Sequence, residues 1–101
     1  MALLLHKIYS NNVANPALTA EMLGFMRDSD FEDRMPAGVP SDALVYHKIG
    51  NGDTGEVHDV GIVVHDNTVY YIGILTTGVS DVDTATKLEA KISKIVYDFM
   101  R

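Results

Sequence analysis

The sequence predicts an α+β fold built on a three-stranded antiparallel meander. Three observations predict it. Ala43–Gly50 and Val57–His65 are rich in β-branched and aromatic residues, and Asn51-Gly52-Asp53-Thr54-Gly55-Glu56 between them is dense in turn formers, a hairpin pattern. A third such run, Thr68–Thr76, follows the tight-turn sequence His65-Asp66-Asn67. Helical periodicity occupies both ends of the chain, so helices are expected on the faces of the sheet.

The elements follow in order. Leu3, Leu4, Leu5, Ile8 and Tyr9 form an apolar stripe at helical spacing, ended by Asn11-Asn12. No capping residue precedes it, so the first helix reads as one met part-way along. Asn15-Pro16 supplies an N-cap and a first-turn proline for a second helix, with Leu18, Met22, Phe25 and Met26 as its expected buried face and Asp28-Ser29-Asp30 as its close. Phe31–Asp42 reads as a loop, broken by Pro36, Gly38 and Pro40. Nearly every position of Thr68–Thr76 is apolar, which predicts a strand covered on both faces with neighbours on both sides. Gly73 within it leaves room for close packing. Ser80-Asp81-Val82-Asp83 offers a capping box for a last helix, roughly Val82 to Met100. Its expected apolar face is Ala85, Leu88, Ile92, Ile95, Val96 and Phe99.

At 101 residues the chain is one domain or part of one, and residues 1–101 show no internal linker, repeat or low-complexity tract. A net charge of −6 argues against nucleic-acid and anionic-membrane partners, which need clustered Lys and Arg. The absence of cysteine excludes disulfides and thiol catalysis but leaves the compartment open. The opening run Met1–Leu5 is too short for a signal peptide or a membrane span.

Two groups of residues suggest chemistry. His47, His58-Asp59 and His65-Asp66 have metal-ligating side chains. However, Asp59 and His65 share a strand face about 20 Å apart, His58 points to the other face, and no third ligand completes a site. Histidines hydrogen-bonded at strand ends are the expected arrangement, with no metal or cofactor. Lys48 is the other candidate. If Gly50 pairs with Val57, Lys48 lies opposite Asp59. It then forms either a surface ion pair worth under about 1 kcal/mol or an ammonium presented to a bound carboxylate beside the bare backbone of Gly50.

The run His47-Lys48-Ile49-Gly50, the glycine-rich turn and His58-Asp59-Val60-Gly61-Ile62-Val63 resemble the terminal part of class A β-lactamase-like and penicillin-binding serine hydrolases, with their Lys-Thr/Ser-Gly strand at the cleft. Met35-Pro36-Ala37-Gly38-Val39-Pro40 is similar to the family's Ile-Pro-x-Gly-x-Pro loop, and Tyr71–Thr76 with the last helix to its final strand and helix. The resemblance implies acyl transfer on a β-lactam or peptidoglycan-like peptide by an extracytoplasmic parent protein. It implies substrate-binding roles for Lys48, facing the substrate carboxylate, for Gly50, keeping the strand bare, and for Asn51, whose N–H would be an oxyanion donor. His47, Asp59 and Gly61 would be structural neighbours of that site.

The sequence also departs from the family. None of Ser10, Ser29, Ser41, Ser80 or Ser93 has lysine three positions on, and there is no Ser-Asp-Asn. Ile49 replaces the hydroxyl residue of the third motif, and Val60 stands where many class A enzymes carry arginine. Two functions follow as expectations. One is the C-terminal segment of a serine hydrolase domain, with no catalytic residue of its own, that binds ligand only together with an N-terminal part and is inactive alone. The other is a non-catalytic α+β module for binding or assembly. Without the family's N-terminal strands, Val69–Thr76 becomes a long apolar edge lacking proline or lysine, so a homo-oligomer joined there or through the N-terminal helices is expected.

Overall fold

The structure is a computed structural model and describes residues 1–27 and 30–101. It contains helices α1 (Ala2–Tyr9) and α2 (Pro16–Met26), a 3-10 turn (Met35–Gly38), strands β1 (Leu44–Asn51), β2 (Val57–His65) and β3 (Thr68–Thr76), and helix α3 (Val82–Met100). The strands form one antiparallel sheet in the order β1-β2-β3, so the architecture is α+β, as predicted. Helix α3 and the 3-10 turn pack together on one face of the sheet, while α1 and α2 reach it through β3 and β1. No helix among the described residues is long and apolar enough to cross a membrane.

Local chemistry sets the helix ends. The Asn15 side chain accepts a hydrogen bond from the Leu18 N–H (2.9 Å), and Pro16 occupies the first turn of α2. The expected close of α2 at Asp28-Ser29 lies outside the described residues. At α3 the cap is Asp81 and not Ser80: its carboxylate accepts from the Asp83 N–H (3.2 Å) and the Thr84 hydroxyl (2.7 Å). Two acceptor oxygens on the residue adjoining the helix win over a hydroxyl one position further out.

The hairpin register differs by one residue from the expected one. Asn51 pairs with Val57, Lys48 with Val60, and Ile49 with Asp59. Directly opposed residues in an antiparallel ladder share a face, and the buried residues Val45 and His47 must share theirs with Val63 and Asp59. The expected register would have put Val45 opposite Ile62, which lies on the other face. Gly52 N–H donating to Glu56 O (2.9 Å) continues the ladder past Asn51.

Three expected burial patterns are corrected. First, β3 is an edge strand with strict alternation: Tyr70, Ile72 and Ile74 are buried, whereas Val69, Tyr71 and Leu75 are exposed. The room above Gly73 is used by its own neighbour, since a Cβ there would lie 2.5 Å from the Tyr71 hydroxyl. Second, α2 buries Thr19, while Leu18 and Phe25 are exposed. Third, α3 is rotated relative to its apolar stripe. It buries Ala85, Thr86, Glu89, Ser93 and Tyr97 and leaves Leu88, Ile95 and Phe99 exposed.

The core cluster explains that rotation. Met35, Val45, Val63, Tyr70, Ile72, Ile74 and Tyr97 are buried together, with Val39, Ile92 and Val96 packed against them. Met35 belongs to the segment expected to be an irregular loop. Its carbonyl accepts from the Ser93 hydroxyl (2.8 Å), and a Cβ at Gly38 would collide with the Ala90 carbonyl and lie 2.7 Å from Ser93 Cβ. Helix α3 therefore turns small and polar residues toward the 3-10 turn, because only those allow the two backbones to approach so closely.

Candidate functional site

The residues singled out from the sequence separate into an exposed edge and a buried seam beneath it. On the edge strand β1, Lys48, Gly50 and Asn51 are exposed. The Lys48 ammonium donates to the Ile49 carbonyl, and Lys48 faces Val60 across the ladder. The expected ion pair between Lys48 and Asp59 does not form, because the one-residue register difference puts Asp59 on the opposite face. A Cβ at Gly50 would meet nothing within 4 Å, so no packing among the described residues demands glycine there. Bare backbone at an open sheet edge can accept a ligand lying along the strand.

Under this edge, His47, Asp59, Arg34 and Glu89 are all buried. His47 Nδ1 lies 2.7 Å from Asp59 Oδ1, and the Met35 N–H donates to Asp59 Oδ2 at 3.1 Å. Both carboxylate oxygens of Asp59 are thus engaged. Burial by itself lowers the His47 pKa, but the hydrogen bond and charge of Asp59, with Glu32 at 3.6 Å from Nε2, outweigh it and hold the imidazole above its ordinary value. Gly61, opposite His47, is required for contact: a Cβ would come within 2.7 Å of His47 Cβ.

Arg34 ties the seam to the edge. Its Nη1 donates to Asn51 Oδ1 (2.9 Å) and to the His58 carbonyl (3.3 Å), and its guanidinium lies 5.6 Å from the centre of the Phe31 ring. Both carboxyl oxygens of Glu89 are buried without a hydrogen-bond partner among the described residues. Burial first, and then the charge of Asp59, pushes its pKa up to about 7 against the opposing pull of Arg34.

Sequence reasoning missed Arg34 and Glu89. Arg34 carried one signal, as a lone cation closing the acidic stretch Asp30–Asp33. Glu89 carried none, because it sits at a position indistinguishable from a solvated helix residue. The other two strand histidines are hydrogen-bonded near strand ends, His58 accepting from the Thr76 N–H (3.2 Å) and His65 contacting the Tyr97 hydroxyl (2.8 Å) and Asp42 (3.1 Å). Among the described residues no cluster of three His, Asp or Glu side chains is placed to hold a metal ion.

The sequence profile of the beta-lactamase enzyme family matches residues 1–100. The chain belongs to that family. Among solved structures it is similar to PBP-A, with 26% identity and a TM-score of 0.81 over 97% of this chain and 37% of that one. It shares its fold with the class A β-lactamase of the last common ancestor of Gram-negative bacteria (22% identity, TM-score 0.90, 100% of this chain and 40% of that one). The same holds for the chromosome-encoded β-lactamase of Vibrio parahaemolyticus (20% identity, TM-score 0.87, 97% and 38%). No curated protein matches the sequence. The chain thus spans about two-fifths of the β-lactamase-like structures it matches.

Proposed function

We propose that this chain supplies the substrate-facing strand of a β-lactamase-type acyl-transfer site, with Lys48 as the cation for a substrate carboxylate, Gly50 as the bare backbone beneath the substrate, and the Asn51 N–H as an oxyanion donor. The observation that carries the reading is the open β1 edge, where Lys48 is exposed and Gly50 meets no neighbour. PBP-A lends support, since its L158E mutant has been described as an acyl-enzyme complex with penicillin G, and that chain is 25% identical to this one with a TM-score of 0.84. His47, Asp59 and Gly61 act from below by fixing the height and twist of β1, and Arg34 holds the Asn51 side chain.

The serine, its activating lysine and the general base belong to a complementary part of the fold. Residues 1–101 contain neither Ser-x-x-Lys nor Ser-Asp-Asn, and no side chain here can carry the acyl group through the family's route. Incubated alone with a chromogenic cephalosporin, the chain is expected to show no turnover, and intact mass spectrometry after penicillin treatment no adduct. A covalent penicilloyl group on any serine would overturn this assignment.

A second reading, a non-catalytic assembly module, is favoured by the β3 edge. Val69, Tyr71 and Leu75 are exposed there, and the strand carries neither proline nor lysine to deter pairing. A two-fold dimer through this edge would leave both Lys48 edges at the outside of a continuous six-stranded sheet. Light scattering at low micromolar concentration is expected to give a dimer. A monomer whose β3 amides exchange freely would remove the reason for this reading.

A further inference from the structure

The acyl-transfer reading leaves Glu89 without a role. Its carboxyl group is fully buried, yet neither oxygen has a hydrogen-bond partner among the described residues. An unpaired buried carboxylate is among the most costly groups a core can hold. The charged groups around it come from every element packed on this part of α3. Asp33 and Arg34 precede the 3-10 turn, His47 is on β1, and Asp59 is on β2. Asp59 already has both oxygens engaged, by His47 and by the Met35 N–H. A buried carboxyl group without hydrogen-bond donors holds its proton beyond the pH at which an ordinary one releases it. The nearby permanent cation, Arg34, directs Nη1 to neutral oxygens, those of Asn51 and of the His58 carbonyl.

We propose that Glu89 is a proton-operated latch: protonated, it leaves Arg34 holding the Asn51 end of β1, and ionised, it competes for the Arg34 guanidinium and releases that end. A guanidinium–carboxylate bond is roughly twice as strong as one to a neutral amide oxygen, so the competition favours Glu89 once its proton is gone. This goes beyond the acyl-transfer reading and does not depend on it. The latch belongs to this chain whether or not the β1 edge ever meets a substrate.

The pH window follows from the direction of the shift. The folded Glu89 binds its proton more tightly than the unfolded one, at about 7 against an ordinary 4.5. Folding stability is therefore greatest below 4.5 as far as this group is concerned, and falls as pH rises toward 7. Over that interval the unfolding constant rises on the order of a hundredfold from this group alone. His47, whose pKa is also raised, adds a loss in the same direction, beginning near its ordinary value of 6.5.

Carbon-detected NMR of the whole chain tests the latch directly. The Glu89 carboxyl resonance is expected to titrate near pH 7, and the Asn51 side-chain amide signals to move with the same midpoint. In Glu89→Gln the Asn51 signals should stay in place across that range, and the fall of stability between pH 4.5 and 6 should vanish. His47 ring resonances, followed in the same spectra, separate its titration from that of Glu89. An ordinary carboxyl midpoint for Glu89 would overturn the proposal. So would a midpoint near 7 with motionless Asn51 signals, or Asn51 signals that still titrate in Glu89→Gln. The carboxyl and Asn51 readouts on the unaltered chain stand even if the variant fails to fold.

Discussion

The two faces of the sheet are covered by helices held by different means, and the more apolar helices, α1 and α2, are the less deeply held. Under α3 the contact is deep: Met35, Val63, Asp59, Glu89 and Ser93 are essentially inaccessible, and polar groups are interleaved with the apolar core. On the other side α1 buries Leu5 and α2 buries Thr19, while Leu3, Leu4, Leu18 and Phe25 remain exposed. The lesson is that apolar content does not decide which helix anchors the fold. Anchoring comes where the 3-10 turn brings a second backbone against the helix and its Met35 carbonyl accepts the Ser93 hydroxyl.

Three substitutions can break or sharpen this contrast. Asp59→Ala should have the largest effect, because it removes the buried partner of both the Met35 N–H and His47 Nδ1. Losing one partner of a buried pair costs roughly 3–5 kcal/mol, seen as a lower urea midpoint. Leu5→Ala, at the best-buried position of α1, should cost about 2 kcal/mol, the low end for a leucine truncation, because the shallow neighbourhood can collapse. An equal loss for the two variants would show that the faces are not different in kind. Phe25→Ser should change stability by no more than about 0.5 kcal/mol, since that ring is 77% exposed in the chain. A larger loss would mean that α2 is packed more tightly than its exposure indicates, for instance against a second copy.

Much of this contrast was legible in the sequence, and the reasons for the rest are physical. The three strands, both hairpin connections and the span of α3 follow from β-branched runs, turn residues and a 3.6-residue period, which are local properties. Lys48, Gly50 and Asn51 were identified by motif, and the structure places them together on one exposed edge. Burial on α3 was misread because Leu88, Ile95 and Phe99 form the better apolar stripe, while the buried set is chosen by the close approach of Gly38 and Met35, more than fifty residues away in sequence. The pairing of His47 with Asp59 was missed through a one-residue register difference. That difference depends on which face of β1 is covered, and nothing in the hairpin alone encodes it.

The loop after Asn51 is not a free flap. Gly55, with φ of 88°, has its carbonyl bound by the Val79 N–H (3.1 Å), and a Cβ there would sit 2.6 Å from the Val79 carbonyl. The tip of the first hairpin is thereby riveted to the linker between β3 and α3. The turn therefore cannot open without also breaking its bond to Val79. A larger side chain at Gly55 would cut that linkage and let the tip swing on its own.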